Sequence, residues 1–141
     1  MNHPRLIPLS QAKTTGARLA LKLRGGEILA LIGPLGTGKT TFTKALGRAL
    51  KAKHKITSPT FVLMRALPIK LRGQAAILYH LDLYRIHSLN ELKSLGIAQV
   101  WGRPGTVTVI EWADKIKRAL PKKTRFLHFN HDRDKKFNPK N

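Results

Sequence analysis

A chain of 141 residues is long enough for one packed domain and too short for two comfortable ones. Its 42% hydrophobic content argues against wholesale disorder, and the absence of cysteine excludes disulfides, thiolate metal sites and cysteine nucleophiles. Lys and Arg outnumber Asp and Glu by 27 to 7, and the net charge of +20 either attracts a polyanion such as nucleic acid or simply keeps a basic surface soluble. The basic residues are densest at Lys44–Lys55 and from Lys115 onward, where aromatics are few, so base-specific stacking is not supported. No apolar run approaches the ~20 residues that span a bilayer. The N-terminus also lacks the apolar core of a signal peptide. The expectation is a soluble, cytoplasmic protein with no membrane partner.

In chain order, Ser10 is positioned to cap a first helix running to about Leu23, with Ala17, Leu19 and Leu21 among its apolar positions. After the turn Arg24-Gly25-Gly26-Glu27, the apolar run Ile28–Ile32 predicts a strand buried on both faces of a parallel sheet. A glycine-rich loop follows, then a helix from about Lys39 to Lys51 with Phe42, Ala45, Leu46, Ala49 and Leu50 inward. Pro59 keeps the next segment out of a helix interior. Phe61–Met64 reads as a strand, Arg72-Gly73 as a turn and Ala75–Asp82 as a strand ending in a carboxylate. Ser88-Leu89-Asn90-Glu91 has capping-box spacing and predicts a helix stopping near Gly96. Thr106–Glu111 is another strand ending in a carboxylate, Ala113–Leu120 a short basic helix and Arg125–Asn130 a last strand. This order predicts a single α/β P-loop NTPase domain over residues 1–130, a central mostly parallel sheet flanked by helices, with a basic, frayed tail at 131–141.

Gly33-Pro34-Leu35-Gly36-Thr37-Gly38-Lys39-Thr40 fits the phosphate-cradling loop at every constrained position, between a strand and a helix as that motif requires. Gly33, Gly36 and Gly38 allow successive backbone N–H groups to point into one concavity, and the helix N-terminus adds positive potential. Lys39 then reaches the β and γ phosphates and the Thr40 hydroxyl ligates Mg²⁺. Seven carboxylates exist in the whole chain, and Asp82 and Glu111 both end strands. Either can ligate Mg²⁺, directly or through water, while the other orients the attacking water. Ser58-Pro59-Thr60 is either a γ-phosphate-sensing hydroxyl segment or an ordinary proline turn. His80, two residues before Asp82, shares its sheet face and reads as structural, and Trp112 is either a packed aromatic or a cover beside the metal. The Asn-Lys-x-Asp motif of guanine-specific proteins is absent from the sequence, which favours ATP.

These segments resemble the TsaE (YjeE) family of ATPases in tRNA threonylcarbamoyladenosine biosynthesis. The resemblance rests on Gly33–Thr41, Ile56-Thr57-Ser58-Pro59-Thr60-Phe61, Tyr79-His80-Leu81-Asp82-Leu83-Tyr84-Arg85, Glu91-Leu92 with Leu95-Gly96, and Ile110-Glu111-Trp112, spanning about residues 10 to 120. It implies a Mg²⁺-dependent ATPase that acts with TsaD and TsaB without performing the transfer itself, with tRNA contacted directly or through those partners. It further implies that Lys39, Thr40 and Thr41, with Gly36, Thr37 and Gly38, hold the triphosphate. Glu111 would join Thr40 at the metal, Asp82 would take part in hydrolysis, and Thr57, Ser58 and Thr60 would form a switch. Trp112 would lie near the nucleotide, and Leu9 and Gln11 would contact adenine. Two rival readings use the same loop: a small-molecule kinase, and a basic RNA-binding module switched by nucleotide.

Overall fold

The structure, a computed structural model, describes residues 6–54, 64–94 and 96–131. Among these residues six strands form one sheet: β1 (Leu6–Pro8), β2 (Glu27–Ile32), β3 (Met64–Leu71), β4 (Gln74–Asp82), β5 (Thr106–Glu111) and β6 (Arg125–Asn130). Three α-helices, α1 (Ala12–Ala20), α2 (Lys39–Ala49) and α3 (Leu89–Ser94), accompany a 3₁₀ segment at Ala113–Ala119. The spatial order is β1-β6-β2-β5-β4-β3, parallel throughout except for the antiparallel edge pair β3–β4. The expected mostly parallel α/β architecture is therefore present.

Alternation along the strands explains the two cores. Leu29 and Leu31 of β2 face α1 and α2, packing with Phe42, Leu46, Val107, Val109 and Leu78. Ile28 and Ala30 face the opposite layer, with Leu81, Ile110, Leu92 and Ile116. An unbroken apolar run is what a strand covered on both sides requires.

Several boundaries differ from the sequence expectation. The first helix is α1 from Ala12, preceded by a 3₁₀ turn at Leu9–Gln11; Gln11, not Ser10, occupies the N-cap position. Its buried face is Ala12, Gly16 and Ala20, whereas Ala17 is exposed and Leu21 is 78% exposed. Close packing on α2 selects this small-residue face: a Cβ on Gly16 would lie 2.5 Å from the Phe42 carbonyl oxygen. On α2 itself Ala49 faces outward rather than inward, while Phe42 and Leu46 are buried as expected.

Strand β1 was not anticipated; it pairs with β6 over three residues, too few to leave a periodic signal. The strand expected at Phe61–Met64 instead runs from Met64 to Leu71, and Phe61–Leu63 lie outside the described residues. Pro68 is tolerated there because β3 is an edge strand, tied to the end of α2 by Lys70 N–H to Leu50 carbonyl (2.7 Å) and Lys53 N–H to Pro68 carbonyl (3.2 Å). The expected turn at Arg72-Gly73 has φ of 52° and 81°, the paired positive values of a two-residue hairpin whose twist matches its strands. The capping box is in place: Glu91 N–H donates to Ser88 Oγ (3.3 Å), and the Glu91 carboxylate accepts from His87 N–H (3.4 Å). The expected basic helix after β5 is a 3₁₀ segment broken at Ile116, and β6 lies where predicted.

Candidate nucleotide site

The site forms where the C-terminal ends of β2, β5 and β4 meet the N-terminus of α2. Gly38 is the N-cap of α2 with φ of 102°, a left-handed conformation, and a Cβ there would come 2.8 Å from that of Ala12. Thr37 is buried and its hydroxyl donates to the Pro34 carbonyl (2.7 Å), tying the loop to itself. Lys39 is 5% exposed; its ammonium donates to the Gly33 carbonyl (2.6 Å) and stands 3.8 Å from the centre of the Trp112 ring. Burial pushes its pKa below the usual 10.5, opposed in decreasing order by the charges of Glu111, Asp114 and Asp82. That carboxylate field is why a buried ammonium is tolerated here.

Asp82 and Glu111 are register partners on adjacent parallel strands, so both carboxylates emerge at one sheet edge. They belong to the face covered by α1 and α2, two residues beyond Leu78–His80 and Val107–Val109. The Glu111 carboxylate is buried and divided. Oε2 accepts a 2.6 Å hydrogen bond from His80 Nε2–H, and Oε1 lies 3.5 Å from the Thr40 hydroxyl. His80, read from sequence as structural, thus touches the strand-end acid itself; the bond assigns its proton to Nε2, and Nδ1 has no partner among the described residues. Asp82 Oδ1 accepts Tyr84 N–H (3.0 Å), which fixes the chain as it leaves β4.

A hollow at this edge is lined by Gly36, Gly38, Lys39, Thr40, Thr41, Asp82, Glu111 and Trp112, joined by Leu9 and the exposed Leu35. Gln11 is not among its lining residues, and Gly33 and Thr37 shape the loop from behind. Trp112 has φ of 60°, strained for a bulky side chain, and its ring meets Tyr84 at 5.1 Å. Lys115 donates to the carbonyls of Tyr84 and Ile86, securing that aromatic pair from outside. Sequence reasoning missed His80, Leu35 and Tyr84 as members of this edge. The signal for His80 was its two-residue spacing from Asp82 beside a parallel strand ending in glutamate. Thr57, Ser58 and Thr60 lie outside the described residues.

The donor set fits a magnesium ion. No group of three or more His, Asp or Glu able to hold a metal occurs among the described residues; this edge offers the Thr40 hydroxyl with the carboxylates of Glu111 and Asp82. Mg²⁺ binds in that manner, keeping waters and taking phosphate oxygens for its other positions. Ligands at 2.0–2.1 Å stand about 3 Å apart when adjacent in an octahedron, so the 3.5 Å between Thr40 and Glu111 closes with a small side-chain movement.

A concave backbone loop at a helix head, faced by carboxylates at the ends of β5 and β4, defines a P-loop NTPase, and this chain has that fold. The family model "Threonylcarbamoyl adenosine biosynthesis protein TsaE" matches residues 8–138, and the chain belongs to the TsaE family. A curated relative from Streptomyces coelicolor, a tRNA threonylcarbamoyladenosine biosynthesis protein TsaE, is 40% identical over 100 residues, covering 70% of this chain and 65% of the relative. The protein of the same name from Bacillus subtilis is 32% identical over 117 residues, covering 83% and 70%. The first relative is thus spanned over slightly less than two thirds of its length. A solved structure, the crystal structure of Bacillus subtilis YdiB, aligns with a TM-score of 0.59 at 29% identity, covering 86% of this chain and 71% of that one. No helix among the described residues is long and apolar enough to cross a membrane.

Proposed function

We propose that this protein is a cytoplasmic, Mg²⁺-dependent ATPase that serves as an accessory factor in threonylcarbamoyladenosine modification of tRNA, working with TsaD- and TsaB-type proteins. The observation that carries the chemistry is the Thr40–Glu111 approach at 3.5 Å, beside Lys39 and in register with Asp82. The pathway rests on family membership and on the names of the curated relatives.

In this reading the amides of Gly36, Thr37 and Gly38 and the head of α2 receive the triphosphate, with the Thr41 side chain at its flank. Lys39 exchanges its bond to the Gly33 carbonyl for the β and γ phosphates. That movement lifts it from the Trp112 ring and joins nucleotide arrival to the position of Trp112. Thr40 and Glu111 hold Mg²⁺, which when bound neutralises charge on the β and γ oxygens. His80 keeps Glu111 aimed at Thr40. Asp82 accepts a hydrogen bond from the attacking water, whose oxygen joins the γ-phosphorus as the bond to the β–γ bridging oxygen breaks. Leu9 and Gln11 supply the adenine contact, and Thr57, Ser58 and Thr60 act as the γ-phosphate switch.

The test is association. Tagged protein is mixed with TsaD and TsaB proteins plus ATP, and with ADP, and both capture and phosphate release are scored. Nucleotide-dependent capture with faster hydrolysis is expected. Failure to associate in every nucleotide state ends the pathway reading and leaves the nucleotide site standing.

A further inference from the structure

Part of the excess positive charge is grouped on one face. Two adjoining hollows run over the seam between α1 and α2 on the outside of the molecule. The first, about 310 Å³, has a floor of Ala17, Ala45 and Ala49 beneath Lys13, Lys44 and Arg48. The second, about 460 Å³, shares Ala49 and is bordered by Lys51, Lys70 and Arg72. All six cations are exposed, no carboxylate lines either hollow, and none of the six forms a salt bridge among the described residues. The described acids are committed elsewhere. Asp82, Glu111 and Asp114 surround Lys39, Glu91 caps α3 in the opposite layer, and Glu27 accepts the amides of Arg24 and Gly25.

We propose that this α1–α2 face binds the phosphodiester backbone of RNA without reading its sequence. Lys44, Arg48 and Lys51 follow one another at spacings of four and three, which keeps them on one side of α2 and its C-terminal end. Over eleven residues that helix extends about 16 Å, so the cations form a row suited to a repeating anion rather than to a single phosphate. Among the described residues no aromatic side chain lines the face, which favours backbone recognition over base stacking. Mutual repulsion among six cations, which no described carboxylate relieves, is relieved by a polyanion. Thr41 lines both the first hollow and the nucleotide site, so a bound strand lies directly beside the triphosphate loop.

Fluorescently labelled transfer RNA and poly(U) are each titrated with the full chain, without nucleotide, at several salt concentrations. Both bind at low salt, and for poly(U) log K falls against log salt with a slope of about −4, at ~0.7 per neutralised phosphate for six cations. The triple variant Lys13→Gln, Lys44→Gln, Arg48→Gln keeps helix propensity and, with an unchanged melting curve, binds at least about tenfold more weakly with a slope near −2. A matched variant in the opposite layer, Lys93→Gln, Arg118→Gln, Lys122→Gln, changes affinity less than about threefold. Equal losses in the two variants, or no RNA binding at low salt, overturn the proposal. So does displacement by polyglutamate as effective as by poly(U), which assigns the face to an acidic protein. None of these outcomes touches the ATPase reading, because nucleotide is left out.

Discussion

Glu111 gives each of its carboxylate oxygens a different neighbour, His80 on one side and Thr40 on the other. A residue that fixes the angle of a metal-side carboxylate acts through orientation, and removing such a support typically costs about 10- to 100-fold in metal affinity or activity. His80→Leu is therefore expected to raise the Mg²⁺ concentration needed for half-maximal ATP turnover by about that factor, while Mg²⁺-free nucleotide affinity stays near wild type. His80→Gln, which can still present an N–H near Glu111, should recover part of the loss. An unchanged Mg²⁺ dependence in the leucine variant would reduce His80 to packing. At this scale the loop was legible, because its glycines, lysine and threonine sit at positions with few chemical substitutes. The His80–Glu111 bond was not legible: it joins residues 31 apart in sequence, and only the parallel register of β4 and β5 brings them together.

Between elements, the seam of α1 and α2 holds the phosphate loop against the sheet. Gly16 lies at the closest approach, 2.5 Å from the Phe42 carbonyl oxygen to any added Cβ, and backbone cannot yield as a flexible side chain does. Gly16→Ala should destabilise the fold by about 1–3 kcal/mol through overpacking, seen as a lower denaturant midpoint at unchanged slope. A neutral or stabilising result would mean that the two helices separate freely. The small-residue face of α1 was misread from sequence because hydrophobic periodicity favours large residues: Leu19 does pack against the core, but Leu21 drew the stripe away from Ala12, Gly16 and Ala20. Strand β3 escaped for a related reason. Only Leu67, Ile69 and Leu71 are buried, on one face, and Pro68 interrupts a run that reads as a strand only once its edge position is known. The doubly covered strand β2 was legible because its unbroken apolar run Ile28–Ile32 has one economical home in an α/β sheet, and β5 because its β-branched run Thr106–Ile110 favours a strand.

For the whole molecule, among the described residues, Asp82, Glu111 and Asp114 gather around Lys39, whereas six exposed cations border the α1–α2 hollows. The nucleotide edge thus combines a buried ammonium with three carboxylates, and the proposed RNA face lies immediately beside it. The layered architecture followed from the order of elements, whereas the division of charge between edge and face depends on which helix covers which side of the sheet. The central claim is that the Lys39–Thr40–Glu111 edge binds and hydrolyses ATP with Mg²⁺. Its most direct test is steady-state phosphate release, with and without Mg²⁺, by the wild-type chain, Lys39→Ala and Glu111→Gln, alongside binding of a fluorescent ATP analogue. Mg²⁺-dependent release by the wild type, loss of nucleotide binding in Lys39→Ala, and retained binding with release lowered at least about tenfold in Glu111→Gln are expected. Wild-type turnover in either variant would contradict that claim.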